Sequence, residues 1–290
     1  MDFISISIYS FRKNVPNETD DEVLPTFSIT NVSNADLNLL SELGVHNSSV
    51  FLANCTIWVE GPTDRHYIRH FMKLYYEHKQ RESSAGEAES EISRYRALRE
   101  DFEYAFVEYG GNNITHWSFL DDEEKPMNVK RICSRLILIA DSDAPKEGSK
   151  KSIRPQKLAE TLGENFLQLP CREIENLVSV NVLRAVVEDY EGGDENIRND
   201  ISTKTLLTKS LGKFIEERVL IEKTKSRRFT EKMKEENYTI GPYAAASGTI
   251  KDKNEFQEKV LRHTHSYDDL SPEAQEFVSK LVDLIEAAIG

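Results

Sequence analysis

Apolar and polar positions along the chain alternate with a changing period, and each change marks an element. Residues 3–13 (Phe-Ile-Ser-Ile-Ser-Ile-Tyr-Ser-Phe-Arg-Lys) alternate two by two, as a half-buried strand does. A polar, acidic stretch with Pro16 and Asp20-Asp21-Glu22 follows, and Phe27 to Val32 reads as a second strand. The two are expected to form a hairpin with a long tip; a lone hairpin is marginal in water and must pack on something. A capping start near Asn34 and the run Leu37, Leu39, Leu40, Leu43 predict a short helix.

Thr56 to Val59 are mostly apolar and rich in β-formers, which predicts a short buried strand. It ends on Glu60, and Gly61-Pro62 turns the chain. Thr63 or Asp64 can cap the next helix, whose Tyr67, Ile68, Phe71, Met72 and Tyr75 recur at helical spacing. Residues 79–98 are polar and charged; their start is expected to be a mobile insertion and the rest helix. Tyr104 to Tyr109 is the next strand. Gly110-Gly111-Asn112-Asn113 after it is either a tight turn or a place where backbone approaches a phosphate or metal.

Arg135 to Asp143 is a further apolar strand ending on Asp141 and Asp143, and Asn165 to Leu169 is another. From about 177 the pattern turns helical. Ser271-Pro272 ahead of Phe277, Val278, Leu281, Val282 and Ile285 predicts a capped amphipathic helix. The chain has no internal repeats. The expected class is α/β: a Rossmann-like, mostly parallel sheet flanked by helices, with an N-terminal β-hairpin and a C-terminal helical extension. The expected divisions are 1–50, 51–180 and 181–290.

A length of 290 residues suits one large domain or two small ones. No apolar run approaches the roughly 18 residues of a membrane helix. The N-terminus lacks the basic-then-apolar order of a signal peptide, so a cytoplasmic location is expected. Cys55, Cys133 and Cys171 have no zinc or disulfide spacing and read as small buried hydrophobes. The net charge of −13 speaks against a generally sticky nucleic-acid binder, so local basic patches would have to supply phosphate contacts. Residues 146–157 hold five basic residues and one acidic. Lys146, Lys150, Lys151 and Arg154 are therefore candidate nucleic-acid contacts, against the plainer reading of a solvated loop. The run Lys223, Lys225, Arg227, Arg228, Lys232, Lys234 has the same two readings. No Gly-x-x-x-x-Gly-Lys-Ser/Thr loop occurs, so this chain has no ATP site of that kind.

Carboxylates at the C-terminal ends of strands sit where open α/β sheets bind ligands. If the strands ending at Glu60 and Asp141 are parallel neighbours, Glu60, Asp64, Asp141 and Asp143 converge on one edge. Hard oxygen donors in that arrangement suit Mg²⁺ or Mn²⁺. Asp64 also reads as a helix cap and Asp143 as a loop-start residue. His66 and His70 stand four apart, a spacing zinc can use, but no third ligand is apparent. They read, with His263 and His265, as surface or packed histidines. No Ser/His/Asp set is present.

Val59-Glu-Gly-Pro-Thr-Asp64 and Ala140-Asp-Ser-Asp143 together resemble the Toprim domain of topoisomerases, primases and some nucleases, whose signature is a Glu after one strand and Asp-x-Asp after a later one. The wording is most similar to the OLD (overcoming lysogenization defect) family of ATP-dependent nucleases. Leu43 to Cys55 resembles the lead-in of those proteins, Arg172-Glu-Ile-Glu-Asn176 their Arg-Glu-x-Glu-Asn element, and Lys251-Asp-Lys-Asn-Glu-Phe256 a late Lys-bearing segment. The resemblance runs over about 38–180 and is thinner beyond.

It implies a metal-dependent DNA endonuclease that uses Glu60, Asp64, Asp141, Asp143 and Glu175 to hold two divalent ions. Lys253, or Lys251 two residues earlier, would neutralise charge developing on the phosphate or leaving group. Glu173 stays outside the set, since its offset along the chain can point it away. The resemblance also implies DNA as partner, an ABC-type ATPase domain or subunit for which the hairpin is remnant or dock, a homo-oligomer, and a setting in phage defence. The alternatives are another Toprim enzyme (RNA-processing or primase-like) or a non-catalytic docking module. The intact carboxylate set argues against the last.

Overall fold

The computed structural model describes residues 9–14, 26–31, 54–84, 98–110, 135–142, 156, 158–221 and 243–289. Strands β1 (Tyr9–Asn14) and β2 (Thr26–Asn31) pair antiparallel, from Tyr9↔Asn31 to Asn14↔Thr26, as the alternation predicts. Four more strands form a second sheet: β3 (Cys55–Val59), β4 (Tyr104–Glu108), β5 (Leu136–Ala140) and β6 (Phe166–Gln168). They lie in the order β4-β3-β5-β6, and every neighbouring pair is parallel. All five residues of β3 are buried, so the strand is covered on both faces, which is why it reads as a continuous apolar run. Its two polar groups are paired internally: Trp58 Nε1 donates to Thr56 Oγ1 at 3.1 Å, and Thr56 Oγ1 donates to the Arg135 carbonyl at 3.2 Å.

Helix α1 (Pro62–Ser84) packs on β3 and β4. It begins on proline, which lacks the N–H that a first helical position cannot use. The helix runs through residues 79–84, where sequence reading expects a mobile insertion. The charges there are spaced for a helix: His78 pairs with Glu82 and Lys79 with Glu82. Arg65 and Arg69 tie the exposed side of α1 to Glu100, at 2.6 and 2.7 Å.

The C-terminal part is helical, as expected. Helix α2 (Val180–Glu191) is capped by Ser179, whose hydroxyl accepts from Val182 N. It stops at Gly192, whose left-handed backbone (φ 76°) lets its N–H reach the Glu188 carbonyl at 2.8 Å. Residues 192–210 contain no α-helix, contrary to the helical reading from 177 onward; the Gly192-Gly193 stop accounts for it. Helix α3 (Leu211–Phe214) continues into a π-turn over Ile215–Val219. Helix α4 (Lys253–His263) touches both α1 and α2, and α5 (Pro272–Ile289) lies on α1 and β3. Asp252 caps α4, accepting from Glu255 N at 3.0 Å, and Ser271 caps α5, accepting from Ala274 N at 3.1 Å. Asn165 belongs to a 3-10 turn before β6, not to the strand. One apolar core joins β3 to α5 through Ile57, Ile68, Phe256, Val278 and Ile285.

Among the described residues, no helix is long and apolar enough to cross a membrane. The predicted helix from Asn34, Asp143, the basic residues Lys146, Lys150, Lys151, Arg154 and Lys157, the basic run 223–234, Gly111 to Asn113 and Cys133 lie outside the described residues.

Candidate functional site

Because the four strands are parallel, their C-terminal ends share one edge of the sheet. From β3 the chain crosses to β4 on one side; from β5 it crosses to β6 on the other. The crevice between the ends of β3 and β5 is therefore the point where connections diverge, the usual ligand position of an open α/β sheet. Glu60 follows β3 directly and Asp141 follows β5 directly. Tyr109 ties the edge together by donating its hydroxyl to the Ile139 carbonyl at 3.0 Å, and Gly110 N donates to the Glu60 carbonyl at 2.9 Å.

Asp64 sits in the first turn of α1, and its Oδ2 accepts from Gly61 N at 2.8 Å. The helix begins at Pro62, so neither Thr63 nor Asp64 is its N-cap; Asp64 reaches back from inside the first turn to the Gly61 N–H and stands beside the crevice, 9% exposed.

Beyond β6 the backbone keeps pairing with the end of β5: Leu169 N donates to the Ala140 carbonyl at 2.9 Å and Ser142 N to the Cys171 carbonyl at 3.2 Å. This extension delivers the Arg172-Glu-Ile-Glu-Asn176 segment next to Asp141. The segment tightens into a 3-10 turn (Ile174–Leu177). Asn176 is fully buried and donates through Nδ2 to the carbonyls of Leu206 and Lys209, at 2.6 and 2.9 Å, while its Oδ1 accepts from Glu173 N. The asparagine of the motif thus fixes the turn, and the two glutamates are presented by it.

Glu173 and Glu175 are both buried, at 6% and 1% exposure. Lys253, the first residue of α4, reaches both: its Nζ lies 3.1 Å from Glu173 Oε2 and 3.1 Å from Glu175 Oε1. Of the two candidate lysines, Lys253 is thus placed at the glutamates. Glu173 joins the cluster, although its offset allowed it to point away: it is the extended residue that caps the 3-10 turn, and the turn brings Glu175 round to the same ammonium. Lys253 also donates to Glu175 Oε2 at 3.3 Å, while Glu175 Oε1 has no hydrogen-bond partner despite its nearness to the ammonium. The ammonium lies off the hydrogen-bonding direction of that oxygen, so its hold on Oε1 is charge alone.

The electrostatics show how closely these groups converge. The Asp141 carboxyl is pushed up to about 9, first by burial and then by the charges of Asp64, Glu60 and Glu175, with Lys253 opposing. Asp64 is pushed up to about 7 by burial and by Glu175, against the pull of the Gly61 N–H. Glu175 is raised by burial, with Lys253 opposing. Burial works against the charge on Lys253, yet Glu175 and Glu173 outweigh it and hold the ammonium above its ordinary value. The buried Cys171 thiol is raised by burial and by Asp141 and Glu175, which suits an inert packed cysteine; Cys55 is a buried thiol as well.

The structure thus brings together Glu60, Asp64, Asp141, Glu175 and Lys253, and adds Glu173. Among the described residues, no three His, Cys, Asp or Glu side chains are arranged to hold an ion as they stand. The donor chemistry fits a hard divalent cation all the same: the acidic groups are oxygen donors, their mutual repulsion calls for positive charge, and Glu175 Oε1 is buried without a hydrogen-bond partner. The histidines are packed: His66 Nδ1 lies 3.1 Å from Gln257 Oε1, and His70 Nε2 lies 2.9 Å from the Thr264 carbonyl.

Comparison of the chain with protein-family models, curated proteins and solved structures finds no match.

Proposed function

We propose that this chain is a metal-dependent endonuclease with a Toprim-type site, cleaving DNA by phosphodiester hydrolysis. One observation carries the reading: Glu60, Asp64, Asp141 and Glu175 converge at the divergence point of a parallel sheet, with Lys253 at their border. Glu60, Asp64, Asp141 and Glu175, with Asp143, would hold Mg²⁺ or Mn²⁺. When bound, such ions activate water and stabilise the leaving oxygen of an in-line displacement. The protein's own part is to hold the carboxylates in a partly dry crevice, where charge interacts strongly. Lys253 contributes a fixed positive charge toward the anion that develops on the phosphate. By the same resemblance, an ABC-type ATPase gates the nuclease, the chain self-associates, and the setting is phage defence.

One observation favours a second reading. An ammonium bridging two buried glutamates is also what a structural ion-pair network looks like, and a non-catalytic docking module would keep it. The deciding experiment is cleavage of supercoiled plasmid and of a structured RNA with Mg²⁺, Mn²⁺ or EDTA, alongside Asp141→Ala. Metal-dependent nicking of DNA that Asp141→Ala abolishes is the expected result. Undiminished cleavage by the variant would refute the mechanism, and preference for RNA would move the substrate class. If neither nucleic acid is cut, even with an ATPase partner supplied, the docking reading gains.

A further inference from the structure

Three buried polar atoms near the carboxylates lack a hydrogen-bond partner: the acceptor Glu175 Oε1, the Tyr67 hydroxyl and Arg172 Nε. Arg172 Nε has the charge of Glu173 beside it, 3.5 Å away, which leaves the Tyr67 hydroxyl as the neutral donor complementary to Glu175 Oε1. Tyr67 lies on α1 one turn beyond Asp64, on the same side of the helix by its three-residue offset. It is 1% exposed, and its ring packs on Phe71 with centroids 5.9 Å apart. A core position of this kind ordinarily takes phenylalanine, because a buried hydroxyl without a partner carries a desolvation penalty and returns nothing. After burial itself, the charge of Glu175 acts most on this phenol, followed by Tyr190 and Asp64. By its offset from Asp64 the ring lies on the side of α1 that carries the acidic cluster, and Glu175, the carboxylate whose charge acts on it most, has an oxygen without a hydrogen bond.

We propose that Tyr67 is a positioning residue of the acidic site, whose hydroxyl donates to Glu175 and fixes that carboxylate when it holds a divalent cation. A carboxylate that binds an ion through one oxygen needs a donor on the other to keep it from swinging, and such partners tune ion affinity strongly. Lys253 holds Glu175 in the ion-free arrangement by charge and by a hydrogen bond to Oε2; a cation on the cluster competes with that ammonium, and Tyr67 remains as a neutral donor. The inference rests on the metal-binding reading above, but concerns a residue which that reading does not use.

The test separates the two. Mn²⁺ binding is measured by calorimetry for the wild type, Tyr67→Phe, Glu175→Gln and the double variant, and thermal unfolding is followed in EDTA. Tyr67→Phe is expected to melt at or above the wild-type temperature in EDTA, since it removes an unpaired buried hydroxyl, while its Mn²⁺ affinity falls about tenfold or more. The double variant should bind no more weakly than Glu175→Gln alone, because the hydroxyl acts through that carboxylate. Unchanged Mn²⁺ affinity in Tyr67→Phe overturns the proposal, as does a loss of stability in EDTA with affinity intact, which marks a purely structural hydroxyl. No Mn²⁺ binding by the wild type, or undiminished binding by an Asp141→Asn control, overturns the metal-binding reading itself.

Discussion

Replacing Lys253 with methionine keeps the volume of the stem and removes a cation that touches both Glu173 and Glu175. Removing one partner of a fully buried ion pair costs about 3–5 kcal/mol, whereas pairs in open water are worth about 0–1 kcal/mol. The glutamates are at the buried extreme, 7% and 1% exposed, but the lysine side chain is 39% exposed, so water screens the ammonium. An intermediate cost of about 2 kcal/mol follows. At 290 residues the unfolding entropy is about 0.6 kcal/mol/K, so the melting temperature should fall by about 3 °C.

The cost has a pH signature. The Glu175 pKa is already raised by burial, with Lys253 opposing, so losing the lysine raises it further. A carboxyl with a raised folded pKa destabilises the fold when it is forced to ionise, which happens as pH rises, and is relieved when it keeps its proton. In EDTA, Lys253→Met should therefore lose much more stability at pH 8 than at pH 5, and adding Glu175→Gln should restore most of it. Melting curves at the two pH values for the three proteins decide this. A variant that matches the wild type at pH 8, or loses equally at both pH values, would show that the lysine acts through packing rather than charge.

Three further outcomes follow from the structure. Cation binding must displace protons from Asp141, pushed up to about 9, and Asp64, pushed up to about 7; Mn²⁺ affinity should rise from pH 6.5 to 8.5. Calorimetry in buffers of different ionisation enthalpy should report net proton release, and its absence would count against these two as ligands. His70 donates through Nε2 to the Thr264 carbonyl, and burial lowers its pKa. The folded state then resists a proton that the unfolded chain takes up below about 6.5, so stability is lost as pH falls through that range. His70→Gln should flatten this part of the unfolding profile, by at most about 1.4 kcal/mol per pH unit, and identical profiles would refute the assignment. Gly212 is packed so closely that an added Cβ would lie 2.7 Å from the Thr249 carbonyl oxygen and 2.8 Å from Ala244 Cα. Backbone cannot yield as a side chain can, so Gly212→Ala should cost about 1–3 kcal/mol in chemical denaturation; a neutral result would mean that the 244–250 turn moves freely.

The parts of this molecule that were legible in the sequence are those set by local rules. Val59-Glu60 and Ala140-Asp141 could be read as strand ends because a strand buried on both faces is a short apolar run that must end at its first charge, and the cap at Ser271 could be read from the proline behind it. Whether those two ends meet depends on strand order, which no local pattern contains. β3 and β5 are separated by the whole of β4 and its connections, and only the order β4-β3-β5-β6 makes them neighbours.

The same limit explains the residues that sequence reasoning left out or undecided. The side on which Glu173 emerges depends on the 3-10 turn, which is held by Asn176 through carbonyls about thirty residues away. The choice between Lys251 and Lys253 depends on where Asp252 starts α4, and the cap makes Lys253 the first helical residue. Glu100 gave no signal at all, because its partners Arg65 and Arg69 lie more than thirty residues upstream. Tyr67 is the sharpest case. At helical spacing with Ile68, Phe71 and Met72 it reads as one more apolar core position, and for its ring that reading holds. Its hydroxyl sets it apart, buried without a hydrogen-bond partner one turn beyond Asp64. A residue that breaks the rule for buried polar groups, beside a cluster that strains the rule for buried charge, is where a fold gives up stability for function. If Tyr67→Phe proves more stable and binds cations less well, both exceptions have one cause.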